Sequence, residues 1–393
     1  MAAVATTWPT AIDTAAPSEP TRRLALKGGL ALAFALPALA GLTACTDRGP
    51  LRIGFIGGMS GRVADLGIAG RNGAQLAVDD LNAASGPDGR AVELLVRDDE
   101  HDEAKAQSRL AELFDAGVAF VVGPMTSSMA VAMAPLATQR GIVLISPTVT
   151  THELSGRADA FFRVVPDAPS GARQQADALL ARGLRRLVTV ADLNNRSFAE
   201  SWTQAAAARF RERGAAVPHE LGFRSAPGLR FTELAQQIAA SSGDVVIVAA
   251  NASDTAVICQ QVRRLDGKPA FAVSPWAGTE QFPQMGGRAV EGALVAQYFD
   301  RASRAPAYLQ FIERYRARFG ENPGYPAVNA YDALRLGMEG LRQRGGSSLA
   351  ISLGKLRHHD CLQQTIALDA HGDAQAPMFL TEVRDGRFVA AAG

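Results

Sequence analysis

The chain has 393 residues, of which 47% are hydrophobic, so it is long enough for two domains and apolar enough for globular cores. Its 40 Lys and Arg residues almost balance its 39 Asp and Glu residues. Because of this balance, the chain has no large net positive charge that would attract nucleic acid. The sequence also has no basic stripe with interleaved aromatic residues. The cysteines, Cys45, Cys259 and Cys361, are too few for a disulfide scaffold.

The N-terminus has the pattern of an export signal. Residues 1–20 are rich in Ala, Thr and Pro without an apolar period, and we interpret them as an unstructured leader. A basic segment, residues 21–27, precedes an apolar run over residues 28–42 that is too short for a membrane span. Arg22 and Arg23 resemble a twin-arginine signal imperfectly, so the Sec and twin-arginine routes both stay open.

The apolar run ends in LTAC at residues 42–45, which resembles the bacterial lipoprotein processing box. Cleavage before Cys45 and acylation of its thiol would anchor the mature chain to a membrane by lipid, without a spanning helix. The alternative is that Cys45 is an ordinary buried cysteine. We expect a signal peptide over residues 1–45, a linker over residues 46–50, and an exported, periplasmic, lipid-anchored protein, with the membrane that carries the anchor left open.

From residue 51 onward, short apolar runs alternate with segments of helical period, and the alternation restarts near residue 168. Such alternation is typical of parallel βαβ units, so we predict an α/β fold with parallel sheets in two similar lobes. Two long helical segments and a β-rich tail follow and are expected to return to these lobes. The expected boundaries are residues 51–167 with 300–350 for the first lobe, and residues 168–299 with 351–393 for the second.

Residues 121–150, VVGPMTSSMAVAMAPLATQRGIVLISPTVT, predict a strand, a turn, a helix, a second strand and a loop. Ser127 and Ser128 lie where the helix begins, and the unpaired amides and dipole of a helix favour an anion at that end. Thr148 and Thr150 follow the second strand, at the sheet edge where open parallel sheets bind ligands. The pattern indicates an anion site; the alternative is that the two serines only cap the helix.

Catalytic motifs are missing from the sequence. It contains no GxSxG, GxGxxG or GxxxxGK[ST]. The acidic cluster over residues 98–103 is interpreted as a solvated turn and helix start. The run HHDC at residues 358–361 has metal-ligand types, but neighbours along a chain rarely all point at one ion. We therefore expect no enzyme activity, no cofactor and no metal; Cys259 is interpreted as a core cysteine, and a disulfide between Cys259 and Cys361 stays open.

A series of motifs runs along nearly the whole chain from residue 51: IGFIGGMSGRVADLG, RNGAQLAVDDLN, VVGPMTSSMA, ISPTVT, FFRVVP, EGALVAQYF, YRARFGENPGYPAVNAYDALRL, DAHGDA and VRDGRFV. In this order the motifs resemble the extracytoplasmic solute-binding proteins of the branched-chain amino acid type, the receptor components of ABC importers. The resemblance implies the type I periplasmic-binding-protein fold, with two Rossmann-like lobes joined by three strands and closing over a ligand. It also implies an ABC permease as the membrane partner and no cofactor, and we expect a monomer.

The resemblance also implies ligand-binding residues. In this family the ligand carboxylate is held by the segment that matches Ser127 and by the loop that matches Thr148 and Thr150, in agreement with the anion site predicted from the helix. Leu66 and Tyr325 also match residues of the cleft.

Three further positions depart from the family pattern. Phe198 stands where amino-acid binders usually have Tyr if a small insertion lies at residues 194–196; without the insertion, Arg196 takes that place. Trp276 replaces an acidic residue that pairs with the ligand ammonium, and Asn251 lies in a segment that replaces a Tyr-containing one. A buried ammonium without a counter-charge is costly, whereas Trp276 and Phe198 would form flat apolar walls. The alternative is that Trp276 is a core residue.

Together these features predict a receptor that binds a small carboxylate, either a branched-chain amino acid or an apolar or aromatic acid, by closure of its lobes. One alternative is a ligand-sensing module that reports to a kinase or receptor and transports nothing. Another is an enzyme on the same scaffold, which the missing catalytic motifs disfavour.

Overall fold

The structure is a computed structural model that describes residues 49–391. The expected signal peptide, its lipoprotein box at Cys45 and most of the linker lie outside the described residues. Within the described part of the chain, no helix is long and apolar enough to cross a membrane.

The first lobe is built on a parallel sheet. Its strands are β1 (Leu51–Gly57), β2 (Val92–Asp98), β3 (Val121–Val122), β4 (Leu144–Ser146) and β5 (Phe161–Arg163). They form a five-stranded sheet in the order β2-β1-β3-β4-β5. The helices between them are α1 (Ala64–Ala83), α2 (Glu103–Asp115) and α3 (Ser127–Arg140). Phe55 and Ile56 are successive residues of β1 that pack into different hydrophobic cores, one on each face of the sheet. Because both faces are buried, the sequence of the strand is a continuous apolar run.

The second lobe repeats this architecture. Its elements are α4 (Ala168–Ala181), β6 (Arg186–Asp192), α5 (Arg196–Glu212), β7 (Ala216–Phe223), α6 (Thr232–Ala240), β8 (Val245–Ala249), α7 (Ala252–Arg264), β9 (Ala270–Val273), α8 (Gln281–Gly286) and β10 (Leu294–Gln297). The strands pair in parallel in the order β7-β6-β8-β9-β10. The two tandem arrays confirm the predicted α/β fold with two lobes of parallel strands.

The chain then returns to the first lobe. Helices α9 (Pro306–Phe319) and α10 (Tyr325–Gln343) pack against α1. At the crossing of α1 and α10, a Cβ on Gly73 would lie 2.0 Å from the Ala327 carbonyl oxygen. Glycine is therefore needed for this close approach, because any side chain would push the two helices apart.

The last elements are α11 (Leu349–Leu353), β11 (His358–Asp360), β12 (Thr365–Leu368), β13 (Ala374–Gln375), β14 (Phe379–Arg384) and β15 (Arg387–Ala390). The strands β11 to β13 form a small antiparallel sheet, whereas β14 adds antiparallel to β10 and pairs with β15. Asp385 and Gly386 join β14 to β15 with positive φ angles of 50° and 67°, as a tight hairpin turn requires.

The C-terminal segment differs from its expected boundary. We expected residues 351–393 to join the second lobe, but only β14 and β15 pair with the second sheet. Helix α11 packs on α10, and the Leu362 N–H donates to Asp332 Oδ1 on α10 over 2.9 Å. The physical reason is the small antiparallel sheet, which satisfies its own backbone hydrogen bonds and rests on α10 instead of extending the second sheet.

Between residues 49 and 391, three segments connect the lobes: residues 164–167, residues 298–305 and residues 376–378. The expected hinge of three strands corresponds to these segments, which have no regular secondary structure. Connections of this kind are suited to a hinge because few residues must absorb the change in backbone angles.

Candidate ligand-binding site

The two lobes touch through direct hydrogen bonds. The Ser128 N–H at the start of α3, in the first lobe, donates to Asn195 Oδ1 of the second lobe over 3.0 Å. Thr279 Oγ1 of the second lobe donates to Asp65 Oδ2 of the first over 2.6 Å. The structure is therefore the closed arrangement of the lobes.

A small cavity lies between the closed lobes. Its lining residues follow the carboxyl ends of strands in both sheets, or begin the helix α10, and they are Leu66, Met125, Ser127, Thr148, Thr150, Phe198, Pro275, Trp276, Tyr298 and Tyr325. Ligands of open α/β sheets bind at this edge.

One corner of the cavity is polar. The Thr150 N–H lies 3.4 Å from Ser127 Oγ, a long hydrogen bond, and Thr150 Oγ1 is buried without a hydrogen-bond partner in the described residues. Ser127 is the first residue of α3, and the preceding Thr126 makes no side-chain cap bond to the helix. Helix amides and dipole thus meet two hydroxyl groups at one point, which favours an anion there.

The loop after β4 is held in place by hydrogen bonds of its own. Ser146 Oγ donates to the Pro124 carbonyl over 2.7 Å and accepts from the Val149 N–H over 3.0 Å. Thr148 Oγ1 donates to the Met125 carbonyl over 2.6 Å. The Thr148 hydroxyl therefore already has an acceptor in the protein, so Thr150 is the threonine whose hydroxyl is left for a ligand.

The opposite wall is aromatic. Trp276 and Phe198 meet edge to face, with ring centroids 5.9 Å apart and planes at 90°. His101 of the first lobe meets Trp276 with a centroid distance of 6.3 Å and an interplanar angle of 74°. Burial lowers the pKa of His101 to about 4, so the imidazole is neutral near pH 7. Trp276 therefore lines the cavity at the junction of the lobes and is not confined to the core of one lobe.

No Asp, Glu, Lys, Arg or His is among the residues that the described chain contributes to the cavity wall. Burial raises the pKa of the Tyr325 hydroxyl well above its usual range and also raises that of Tyr298, so both stay protonated. The acid that precedes Leu66 in sequence, Asp65, accepts from Thr279, and burial raises its pKa. The wall thus offers hydrogen-bond donors for an anion and no counter-charge for a cation.

The structure places two of the expected site residues elsewhere. Ser128 does not line the cavity, because its amide is directed to Asn195 of the other lobe. Asn251 also does not line it: Asn251 Oδ1 accepts from the Asp254 N–H over 2.9 Å and caps α7. Leu66, Ser127, Thr148, Thr150, Phe198, Trp276 and Tyr325 are brought together around the cavity.

Of the two residues left open for one position of the family pattern, Phe198 lines the cavity and Arg196 does not. Arg196 is exposed and forms an ion pair with Glu200 over 3.4 Å, whereas Phe198 faces the cavity. Met125, Pro275 and Tyr298 were missed from the sequence. Pro275 is next to Trp276, and Tyr298 lies in the motif EGALVAQYF; both follow strand ends, which is the signal that could have indicated them.

The HHDC run does not form a compact set of ligands. His358 is exposed and His359 is buried, because successive residues of β11 point to opposite faces. In the described residues, no group of three or more His, Cys, Asp or Glu could hold a metal ion. Cys259 and Cys361 are both free thiols in the structure, and Cys259 is fully buried in the core of the second lobe.

The fold and the cavity define a class: a two-lobed binding protein with its cavity between the lobes. A model of the periplasmic binding protein family matches residues 50–387 of the chain. The chain therefore belongs to the periplasmic binding protein family.

Individual relatives are distant in sequence, but their matches cover most of both chains. A Leu/Ile/Val-binding protein homolog from Brucella melitensis is 23% identical over 346 residues, covering 86% of this chain and 93% of that protein. A leucine-binding protein from Thermotoga maritima superposes with a TM-score of 0.80 at 24% identity, covering 87% of this chain and 98% of that one. An ABC transporter solute-binding protein from R. palustris, in complex with benzoate, has a TM-score of 0.78 at 21% identity, covering 87% and 95%.

Proposed function

We propose that the chain is the receptor of an ABC importer for a small carboxylate with an apolar or aromatic body. The observation that carries the proposal is the composition of the cavity wall, which combines the Ser127 and Thr150 donors with Trp276 and Phe198 and contains no charged side chain. In this proposal the ligand carboxylate lies at the polar corner and its body against the aromatic rings. Leu66, Thr148 and Tyr325 complete the wall.

A branched-chain amino acid is the second candidate, because relatives of this chain are named as Leu/Ile/Val-binding proteins. Its ammonium is the physical difficulty. In the closed cavity the ammonium would lose water without gaining a carboxylate partner, at a cost of several kcal/mol. The complex of the R. palustris protein with benzoate supports the first candidate, since benzoate is an acid without an ammonium and the protein that binds it has a similar fold.

Matched ligand pairs separate the two candidates. Leucine is compared with 4-methylpentanoate, and phenylalanine with 3-phenylpropanoate, by isothermal titration calorimetry, with benzoate added as a rigid aromatic acid. Each pair differs only in the ammonium, and we expect the acid without it to bind at least ~100-fold more tightly. Tighter binding of leucine than of 4-methylpentanoate would establish the amino-acid candidate, and no binding of any of these compounds would exclude the ligand class.

The transport role is tested in cells. We propose that the receptor hands its ligand to a membrane permease, so deletion of its gene is expected to abolish uptake of the radiolabelled acid at low concentration. If uptake stays unchanged while the protein binds the acid, the alternative of a ligand-sensing module without transport is favoured.

We also propose that the protein is an exported monomer held to a membrane by a lipid on Cys45. The sequence LTAC at residues 42–45 supports the lipid anchor. Labelled palmitate is expected to enter the wild-type protein but not Cys45→Ala, and the variant is expected to leave the membrane fraction. Equal labelling of both proteins would contradict the anchor.

A further inference from the structure

A charged side chain of the first lobe reaches into the second lobe outside the cavity. Arg62 lies in the short 3-10 helix Gly61–Val63 that follows β1. Its Nη1 forms an ion pair with Asp254 Oδ1, and its Nη2 donates to the Ala226 carbonyl over 3.2 Å. Neither Arg62 nor Asp254 lines the cavity. The pair therefore joins the lobes without touching the position of the ligand.

Asp254 has partners within its own lobe. Asn251 Nδ2 donates to Asp254 Oδ2 over 2.8 Å, and Ser225 Oγ donates to the same oxygen. The carboxylate lies in the first turn of α7, where the helix dipole favours negative charge. These contacts lie within the second lobe and do not involve Arg62.

The surroundings of Asp254 are negative on the side of the second lobe. The pKa of Asp192 is raised to about 6, mainly by burial. The negative charge of nearby Asp254 raises it further. Arg224 is the cation of the second lobe that acts on Asp192. Arg62 brings a further positive charge from the first lobe, and its side chain is 29% exposed whereas that of Asp254 is 0% exposed. Closure thus places a cation against a fully buried carboxylate.

We propose that Arg62 and Asp254 form an interlobe latch, which sets the fraction of closed protein and thereby the affinity for a ligand that neither residue contacts. The proposal rests on the proposed function in one respect, that a ligand is held between the closed lobes. The apparent dissociation constant of such a ligand scales inversely with the fraction of protein in the binding-competent state. Loss of the latch therefore weakens binding of every ligand by the same factor.

The test compares Arg62→Gln and Arg62→Lys with Arg52→Gln in the full-length chain. Arg52 is a matched control because it pairs with Glu93 over 3.3 Å inside the first lobe, with both side chains about half exposed. We expect Arg62→Gln to lower the closed-to-open ratio of the ligand-free protein about 10-fold, since a charge-assisted hydrogen bond is lost at a partly exposed site. The dissociation constants of benzoate and 4-methylpentanoate are then expected to rise by one common factor of up to about 10. Arg62→Lys is expected to restore part of the affinity, and Arg52→Gln to leave it unchanged.

Amide hydrogen exchange provides a readout that needs no ligand. The Ser128 N–H is bonded only to Asn195 of the other lobe, so its exchange rate reports separation of the lobes. In ligand-free Arg62→Gln we expect this rate to rise by a factor that, multiplied by the rise in the dissociation constant, gives about 10, because both changes follow from the same closed-to-open ratio. In Arg52→Gln we expect the rate to stay at the wild-type value. An unchanged Ser128 rate together with unchanged dissociation constants in Arg62→Gln would overturn the latch. If the wild-type protein binds neither probe, the proposed ligand class fails, and the exchange rates still decide whether the latch exists.

Discussion

Thr150→Val separates binding from folding at the polar corner of the cavity. The substitution keeps the shape of the side chain and removes its hydroxyl, which is buried and has no hydrogen-bond partner in the described chain. A hydrogen bond to a charged group contributes about 1.5–3 kcal/mol, so we expect the dissociation constant of a bound carboxylate to rise by about 10- to 150-fold. The ligand-free protein is expected to unfold at the same or a slightly higher temperature, because an unpaired buried hydroxyl is removed.

The neighbouring Thr148→Val is the matched control. Its hydroxyl donates to the Met125 carbonyl over 2.6 Å, so this substitution leaves a carbonyl without its donor and is expected to destabilise the ligand-free protein by about 1–2 kcal/mol. Its effect on ligand affinity is expected to be the smaller of the two. Titration calorimetry with benzoate and thermal unfolding without ligand measure both quantities for both variants.

The two threonines therefore have opposite expected signatures. The reasoning is refuted if Thr150→Val lowers the unfolding temperature as much as Thr148→Val does, or if Thr150→Val binds benzoate as tightly as the wild-type protein. The first result would mean that the Thr150 hydroxyl serves the fold; the second would mean that the carboxylate does not lie at this corner.

Three further predictions concern the aromatic wall, a buried acid and a helix crossing. Trp276→Ala is expected to weaken binding of 3-phenylpropanoate by about 10- to 100-fold through lost apolar contact, and a calorimetric titration with an unchanged constant would contradict this. Burial raises the pKa of Asp332 to about 7, so the folded chain binds a proton that the unfolded chain releases near pH 4. The free energy of unfolding therefore falls between about pH 4 and 7, and Asp332→Asn is expected to remove about 2–4 kcal/mol of this fall in urea titrations; an unchanged pH slope would refute it. Gly73→Ala would place its Cβ 2.0 Å from the Ala327 carbonyl oxygen, so we expect a loss of more than about 3 kcal/mol by the same method, and near-native stability would contradict the close approach.

The polar corner could be predicted from local signals, and the structure explains why. A helix that begins just after a strand presents its amides at the strand's carboxyl end, and neighbouring parallel strands end at the same edge. Ser127 and Thr150 therefore converge, although they are separated by the whole of α3 and β4. In contrast, Ser128 looked equivalent to Ser127, and only the position of Asn195 on the other lobe shows that its amide is already bonded.

The sequence by itself determined the alternation of strands and helices, the two lobes, and the strand ends at which the cavity lies, because apolar period and turn residues act over short distances. Tertiary structure alone decided that residues 349–375 pack on the first lobe. It also decided that Asn251 caps α7 and that Arg62 forms an ion pair with Asp254 of the other lobe. These outcomes depend on contacts between residues far apart in the chain. Their energies arise only when both surfaces are in place, so no local pattern in the sequence encodes them.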